Sequence, residues 1–389
     1  MSNSQDTFSE NEIINKILSL LASEGLMNPN VIGNIEQLTK ENIRMMHSPQ
    51  RKETVGKESI KLIPNLNKLL KFFAAGNEIT PTKIEARLVP VNNSQTALLF
   101  RLATLLWSVP VSKGFGRRMR FLIIDSNNDK LIGIFALGDP VFNLTARDSL
   151  IGWNTDDRKA RLVNVMDAYV VGAVPPYNML LGGKLVASLI GSQEVVDYYL
   201  KKYEGKRGII SNQVKDHALA LITVTSALGR SSIYNRLKIP GIVNLIKIGQ
   251  TKGYGHFQIS NELFDAMREL LIIKGHSYAL GYEYGSGPNW KWRVIRQALK
   301  YSGVSIDVLK HGIAREIYAM PIASNWKEYL QGSDDFCLVS RPSVKDISEA
   351  CLNRWVVPRA ERLPNYAEWT HQNTIDLFNS ILSINGNIK

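Results

Sequence analysis

Four aspartates stand in or beside runs that read as buried strands: Asp125, Asp139, Asp148 and Asp167. Carboxylates gathered from several strands can hold Mg²⁺, which activates water and steadies the leaving oxygen in nucleases. Asp167 is the most unusual, because a charge inside RLVNVMDAYVVGAV is either paired or working. Asp125 and Asp167 are therefore the acids assigned to a metal-dependent nuclease, an alternative reading that would need Mg²⁺. Turns and caps account equally well for Asp125, Asp139 and Asp148, and Arg147 with Trp153 suggests an ion pair and a packed indole beside Asp148. Six histidines, none paired at metal-ligand spacing, give no HExxH helix and no facial triad, so no metal site is assigned. Cys337 and Cys351, separated by a proline and several charges, support neither a disulfide framework nor a zinc site.

Phosphate chemistry has more candidates. In VPPYNMLLGGKLVASLIGS, residues 174–192, two prolines stop an apolar run and Asn178 offers an N-cap, so a helix is expected to start there and continue to about Tyr203. Its first turn, with Asn178, Gly182, Gly183 and Lys184, is a candidate anion site. Three Gly-x-Gly loops follow the same theme: Gly114-Phe115-Gly116, Gly253-Tyr254-Gly255 and Gly285-Ser286-Gly287. None completes GxGxxG, and Lys184 is followed by Leu185, so dinucleotide and Walker-type readings fall away. Each loop instead has an aromatic residue beside cations: Phe115 with Arg117 and Arg118, Tyr254 with Lys252 and His256, Trp290 with Lys291 and Arg293. Aromatic faces that stack bases beside cations that hold phosphates are the means of single-strand binding.

Several elements must position these residues. Ser9 to Glu24 is an amphipathic helix with a Ser9–Glu12 capping box, a second helical pattern runs through 36–46, and SPQRKETVGKES reads as a charged linker. A helix is expected over 94–107, and a hairpin turns on Ser126-Asn127-Asn128-Asp129, with a third strand through Asp167. ALALITVTSA is a further strand, leading through GRSSIYNRLK into a short helix with Arg230 at the ligand-facing end. NLIKIGQTKGYGHFQIS reads as a second hairpin, and helices are expected from Asn261 to Lys274 and from Trp290 onward, the latter with Arg293, Arg296 and Lys300 on one face. His311 and Arg315 would share a helix face in KHGIARE.

The 389 residues suffice for a large core, and the division expected is an N-terminal helical region over 1–80, an α/β core over 81–260 and a helical C-terminal extension over 261–389. The net charge is +12, yet residues 1–80 hold nine Lys/Arg against nine Asp/Glu, so the excess belongs to the remainder. Such a body concentrates phosphate-rich partners. No apolar run reaches membrane-span length and the polar start MSNSQDTFSENE is no secretory signal, so a cytoplasmic place without membrane contact is expected.

The phrases WSVPVSKGFGRRMRFLIID, LIGIFALGDPVFNLTARDSLIGW, MDAYVVGAVPPYNMLLGGKLVASL, GRSSIYNRLK and TKGYGHF together resemble the DruA family of Druantia anti-phage defence systems, over roughly residues 98–316. The RD..IGW and PPYN..L.GKL.A phrases are the most specific parts. The resemblance implies anti-phage defence, acting on or sensing nucleic acid with partner proteins. The element order also resembles a GNAT acyltransferase core, implying an α/β (α+β) fold with a mixed sheet flanked by helices. That likeness would place acyl-CoA on the helix start and make Tyr234 the proton donor to the leaving thiolate. Of the Q/R-x-x-G-x-G/A pattern only Gly183 matches, since Asn178 and Leu181 occupy the other two positions. The leading expectation is a nucleic-acid-binding defence protein, DNA the favoured ligand. Arg117, Arg118, Lys184, Arg230, Lys252, Arg293 and Arg296 would sit on phosphates and Phe115, Tyr254 and Trp290 against bases. It requires no cofactor. Acyl transfer, Mg²⁺-dependent cleavage and a scaffold recruited through residues 1–80 are the alternatives.

Overall fold

The computed structural model describes residues 9–27, 38–112, 114, 116–207, 214, 218–281 and 288–383. The chain forms two compact units, one of residues 1–50 with 252–314 and a larger one of 51–251 with 315–389. These units part at Gln50 and at either end of 252–314.

In the smaller unit the expected capping box is present, with the Glu12 N–H donating to Ser9 Oγ and the Ser9 N–H to the Glu12 carboxylate at 2.6 Å. Helix Glu10–Ser23 turns Ile13, Ile17 and Leu21 inward onto Leu263, Met267 and Leu270 of helix Asn261–Ile273 and onto Val294, Ile295 and Leu299 of helix Pro288–Tyr301. Each such buried side chain stabilises by about 1.5–3 kcal/mol. Arg293, Arg296 and Lys300 lie on the exposed face of the last helix, as its periodicity requires.

The larger unit is built on a seven-stranded mixed sheet. Its strands are β1 (Ala86–Pro90), β2 (Arg118–Asp125), β3 (Lys130–Gly138), β4 (Val165–Ala173), β5 (Leu221–Thr225), β8 (Ile246–Gln250) and β9 (Glu316–Pro321). Short β6 (Lys238–Ile239) and β7 (Val243–Asn244) pair apart from it. The order is β1-β2-β3-β4-β5-β9-β8, antiparallel throughout except for the parallel β4–β5 pair. The hairpin expected at Ser126–Asp129 joins β2 to β3, with Asp129 at φ 55°. Both faces of the central strands are covered, which explains their near-continuous apolar runs, while the edge strand β8 stays partly open. Phe135 and Leu137 of β3 meet helices Gly182–Leu189, Gln193–Tyr203 and Val344–Cys351. Ile134 and Ala136 meet helices Leu66–Leu70, Ser94–Thr104 and His371–Leu382 on the other face.

Several sequence expectations are corrected. The charged linker is a helix, Ser48–Leu62, in which the helix formers Gln, Arg, Lys and Glu outweigh Gly56, with a Glu53–Lys57 ion pair one turn apart and Leu62 buried at its end. The Pro-Pro helix does not begin at Asn178, which lies exposed in a 3₁₀ turn, Tyr177–Leu180. It begins at Gly182, after Leu181 at φ 59°, and stops at Leu189. A second helix, Gln193–Tyr203, follows a break at Gly191, where an added Cβ would come within 2.4 Å of Met320 Sδ. No short helix follows β5; residues 231–237 form turns, with Arg236 at φ 61°. The expected second hairpin is absent, because β8 pairs with β9, some sixty residues further on, and Gly253 at φ 73° turns the chain into the smaller unit. His311 and Arg315 share no helix, since Gly312 at φ 73° precedes β9.

Candidate functional site

β4 and β5 are hydrogen-bonded only across Val165–Leu221, Met166–Ile222 and Asp167–Thr223. Beyond that row no ladder joins them, although β4 runs on to Ala173 and β5 to Thr225. At the same point β4 carries one extra residue, Tyr169, because Leu137 faces Ala168 and Ala136 faces Val170. A bulge beside a parting pair of strands re-aims side chains, and such devices recur next to active sites.

Polar groups gather at this fork. Thr223 Oγ1 donates to Asp167 Oδ1 at 2.8 Å. Burial pushes the Asp167 carboxyl up to about 6, against the opposing pull of the Thr223 hydrogen bond and the positive charge of Arg147. Part of Asp167 nevertheless stays accessible to solvent. Tyr234, from the turns after β5, is 8% exposed and stands edge-on to Tyr318 with 5.6 Å between ring centroids. Burial first and the Asp167 charge second raise its phenol. Among the described residues its hydroxyl makes no hydrogen bond. Tyr318 donates to Glu316 Oε2 at 2.5 Å, and Glu316 also pairs with Lys247 at 2.6 Å and accepts from the Ser231 N–H at 3.4 Å. A carboxyl near 6 beside an unengaged phenol can take up and return a proton close to neutral pH. Asp167 and Tyr234, assigned separately from sequence, thus come together. Thr223, Glu316, Tyr318 and Lys247 were missed, since only strand pairing brings them here.

Asp125 does not join them. It faces Lys130 at one end of β3, whereas Asp167 faces Gly138 at the other, eight residues or roughly 26 Å along the strand. Its oxygens accept from the Glu85 and Asn127 N–H groups and the Tyr177 hydroxyl, so it closes the turn. Among the described residues no group of three His, Cys, Asp or Glu is placed to hold a metal ion.

The helix start is covered by the chain itself. Gly183 packs under Ile233, whose side chain an added Cβ would meet at 3.1 Å. The Lys184 ammonium donates to the carbonyls of Ile233 and Asn235 at 3.0 and 3.2 Å and lies over the Trp355 ring. Gly182 is buried as well, and the Pro175–Pro176 bond before it is cis.

Residues 37–332 match the family described as Druantia protein DruA. A Druantia protein DruA from Escherichia coli (strain UMEA 4076-1) is 48% identical over 344 residues, covering 88% of this chain and 85% of that protein. The chain belongs to the DruA family. No solved structure matches it. The DruA match takes in the fork, the helix Gly182–Leu189 and the whole of 252–314, and ends before helix Val344–Cys351.

Its specific RD..IGW phrase builds a structural knot. Arg147, wholly buried, donates to Asp148 Oδ1 at 2.6 Å and to the carbonyls of Val141 and Phe142, and lies over Trp153. The cations and rings expected to contact nucleic acid divide between the two units. In the larger, Arg117 is bound to Asp139 at 2.7 Å and to the Tyr199 hydroxyl at 2.6 Å, while Arg118 and Arg230 are exposed. In the smaller, Lys252, Arg293 and Arg296 are exposed and Tyr254, also exposed, donates to Asp307 at 3.0 Å. Trp290 is a core residue there, 7% exposed, its indole donating to the Tyr278 carbonyl at 2.7 Å, so it offers no face to a base. Phe115 and the Gly285–Gly287 loop lie outside the described residues.

Proposed function

We propose that this DruA-family protein acts in bacterial anti-phage defence, in the cytoplasm and with partner proteins, by binding nucleic acid through its larger unit. One observation carries the reading. Residues 1–50 and 252–314 hold eleven Lys/Arg and eleven Asp/Glu, so the entire +12 belongs to the unit built on the sheet. A field of that sign on one body draws phosphate backbones and releases their counterions. DNA is the favoured ligand. Fluorescence anisotropy of a labelled DNA duplex between roughly 50 and 300 mM salt, the range over which counterion release is read, tests it. Three engaged phosphates give a log–log slope of about −3, and a flat response overturns the proposal.

A second reading, chemistry at the fork, is favoured by the strand order and by Asp167 beside Tyr234. A seven-stranded sheet with one parallel pair, forking at a bulge, supports a GNAT-like core. Acyl-CoA is the less favoured substrate, because Ile233 and the commitments of Lys184 use the helix start where its pyrophosphate would lie. Calorimetry with acetyl-CoA tests it: binding heat that persists in Tyr234→Phe, whose hydroxyl would serve the leaving thiolate and not binding, supports acyl-CoA as the ligand, and no heat removes it.

A further inference from the structure

Helix Gln193–Tyr203 ends in the run YYLKKYEGKR, with Lys201 and Lys202 in its last turn, where the negative end of the helix favours cations. Lys201, Lys206 and Arg207 are exposed and Lys202 is half-buried. Lys202 ties this helix end to the start of β2, its ammonium donating to the Arg118 carbonyl at 2.8 Å. That bond sets the lysines against two more cations, Arg118, which is exposed, and Arg120, which is half-buried. Aromatic faces support them: Arg120 lies 5.7 Å from the centroid of Phe100, Lys202 5.4 Å from Tyr198 and Lys206 5.8 Å from Tyr203.

No carboxylate among the described residues forms an ion pair with Arg120, Lys202 or Lys206, and Asp139, at the end of the neighbouring hairpin, is taken by Arg117. The crowding is felt, because burial and then Lys206, Arg120 and Arg118, in that order, hold Lys202 below the usual ammonium range. Cations that outnumber the one acid of that run, Glu204, repel one another, and an arriving polyanion relieves that repulsion. The cations come from a strand and a helix end and are largely open rather than enclosed, which suits a repeating backbone better than one small phosphate.

We infer that Arg118, Arg120, Lys202 and Lys206 form the seat for the phosphodiester backbone of a nucleic acid. The inference deepens the nucleic-acid reading above and rests on it. The test uses the full chain and labelled single-stranded and duplex DNA, comparing Lys206→Glu and the double variant Arg120→Gln with Lys206→Glu against a control, Lys68→Glu with Lys345→Glu, that removes more charge from exposed positions elsewhere. Lys202 is left intact because its bond to Arg118 also holds the fold, and thermal melts confirm that each variant is folded. The double variant is expected to lose at least about tenfold in affinity and to flatten the salt slope by about 2, with the control within about threefold. Equal losses in control and double variant, with wild type still binding, overturn the seat and leave the nucleic-acid reading standing. Failure of the wild type to bind either DNA overturns both. Inorganic polyphosphate that displaces the probe as well as unlabelled DNA does would overturn the assignment to nucleic acid.

Discussion

Replacing Asp167 with Asn should stabilise the protein at neutral and alkaline pH and have no such effect in acid. Burial raises the carboxyl from its ordinary 3.8 to about 6 in the folded chain. Below about pH 4 the group is protonated folded or unfolded and costs nothing; above 6 it is charged in both states and the folded state bears the whole penalty. At 1.36 kcal/mol for each tenfold change in proton affinity, the ceiling is about 3 kcal/mol. Asp167 keeps some contact with solvent, which reduces the expected gain to about 1–2 kcal/mol, or roughly 2–5 °C in Tm. Asn retains an oxygen that can accept from Thr223 Oγ1, so the hydrogen bond need not be lost. Thermal and urea denaturation of both proteins from pH 4.5 to 8 is the assay. A D167N protein less stable than the wild type at pH 8 would refute this, because the carboxylate would then be held by an opposite charge rather than exposed to a desolvation penalty.

Other expectations concern what holds the fold. Arg147→Met should cost about 3 kcal/mol in urea denaturation, the low end for breaking a buried pair, because Arg158 still contacts Asp148 at 3.0 Å. Gly76→Ala should destabilise by about 1–3 kcal/mol, since its Cβ would come within 2.0 Å of the Tyr366 carbonyl, a backbone atom that cannot swing aside. Tyr234→Phe should leave stability within about 0.5 kcal/mol, its hydroxyl having no partner to lose, so a change in any activity of the fork can be read without a folding term.

The parts of this fold legible from sequence are those whose information is local. The Ser9–Glu12 box, the Asn-rich turn after Asp125 and the apolar face of the helix carrying Arg293 each specify themselves within a few residues. β1 and β9 were not anticipated, because five- and six-residue stretches of mixed polarity become strands only when a distant partner is in place. β8 was given to the wrong partner for the same reason: GQTKGYG carries real turn residues, but they lead into another unit and not back along the sheet. At the fork, sequence revealed Asp167 by its oddity in an apolar run, whereas Thr223 and Tyr318 sit in ordinary strand contexts. A lysine after two glycines looks alike whether it meets a phosphate or, as Lys184 does, two backbone carbonyls.

The fork and the cationic corner are neighbours in the larger unit, and this makes them testable together. Arg118 faces Gly138, Gly138 faces Asp167 and Asp167 faces Thr223, one row across the sheet. Two strand spacings separate Arg118 from Asp167, roughly 10 Å of backbone. At that range the Arg118 charge helps the Asp167 carboxylate by about 0.4 kcal/mol in a water-like medium, and salt reduces this further. A polyanion seated on the corner would cancel that help and push the Asp167 carboxyl higher, which by linkage means that binding takes up protons. Affinity for DNA should therefore be about twofold higher at pH 5.5 than at pH 8 through this group. Thr223, Arg147 and Tyr234, which also act on Asp167, do not titrate in that window. Asp167→Asn isolates the contribution: it should remove this part of the pH dependence while leaving the salt slope untouched. Identical pH profiles in the two proteins would mean that the two features are electrostatically independent despite lying in one row.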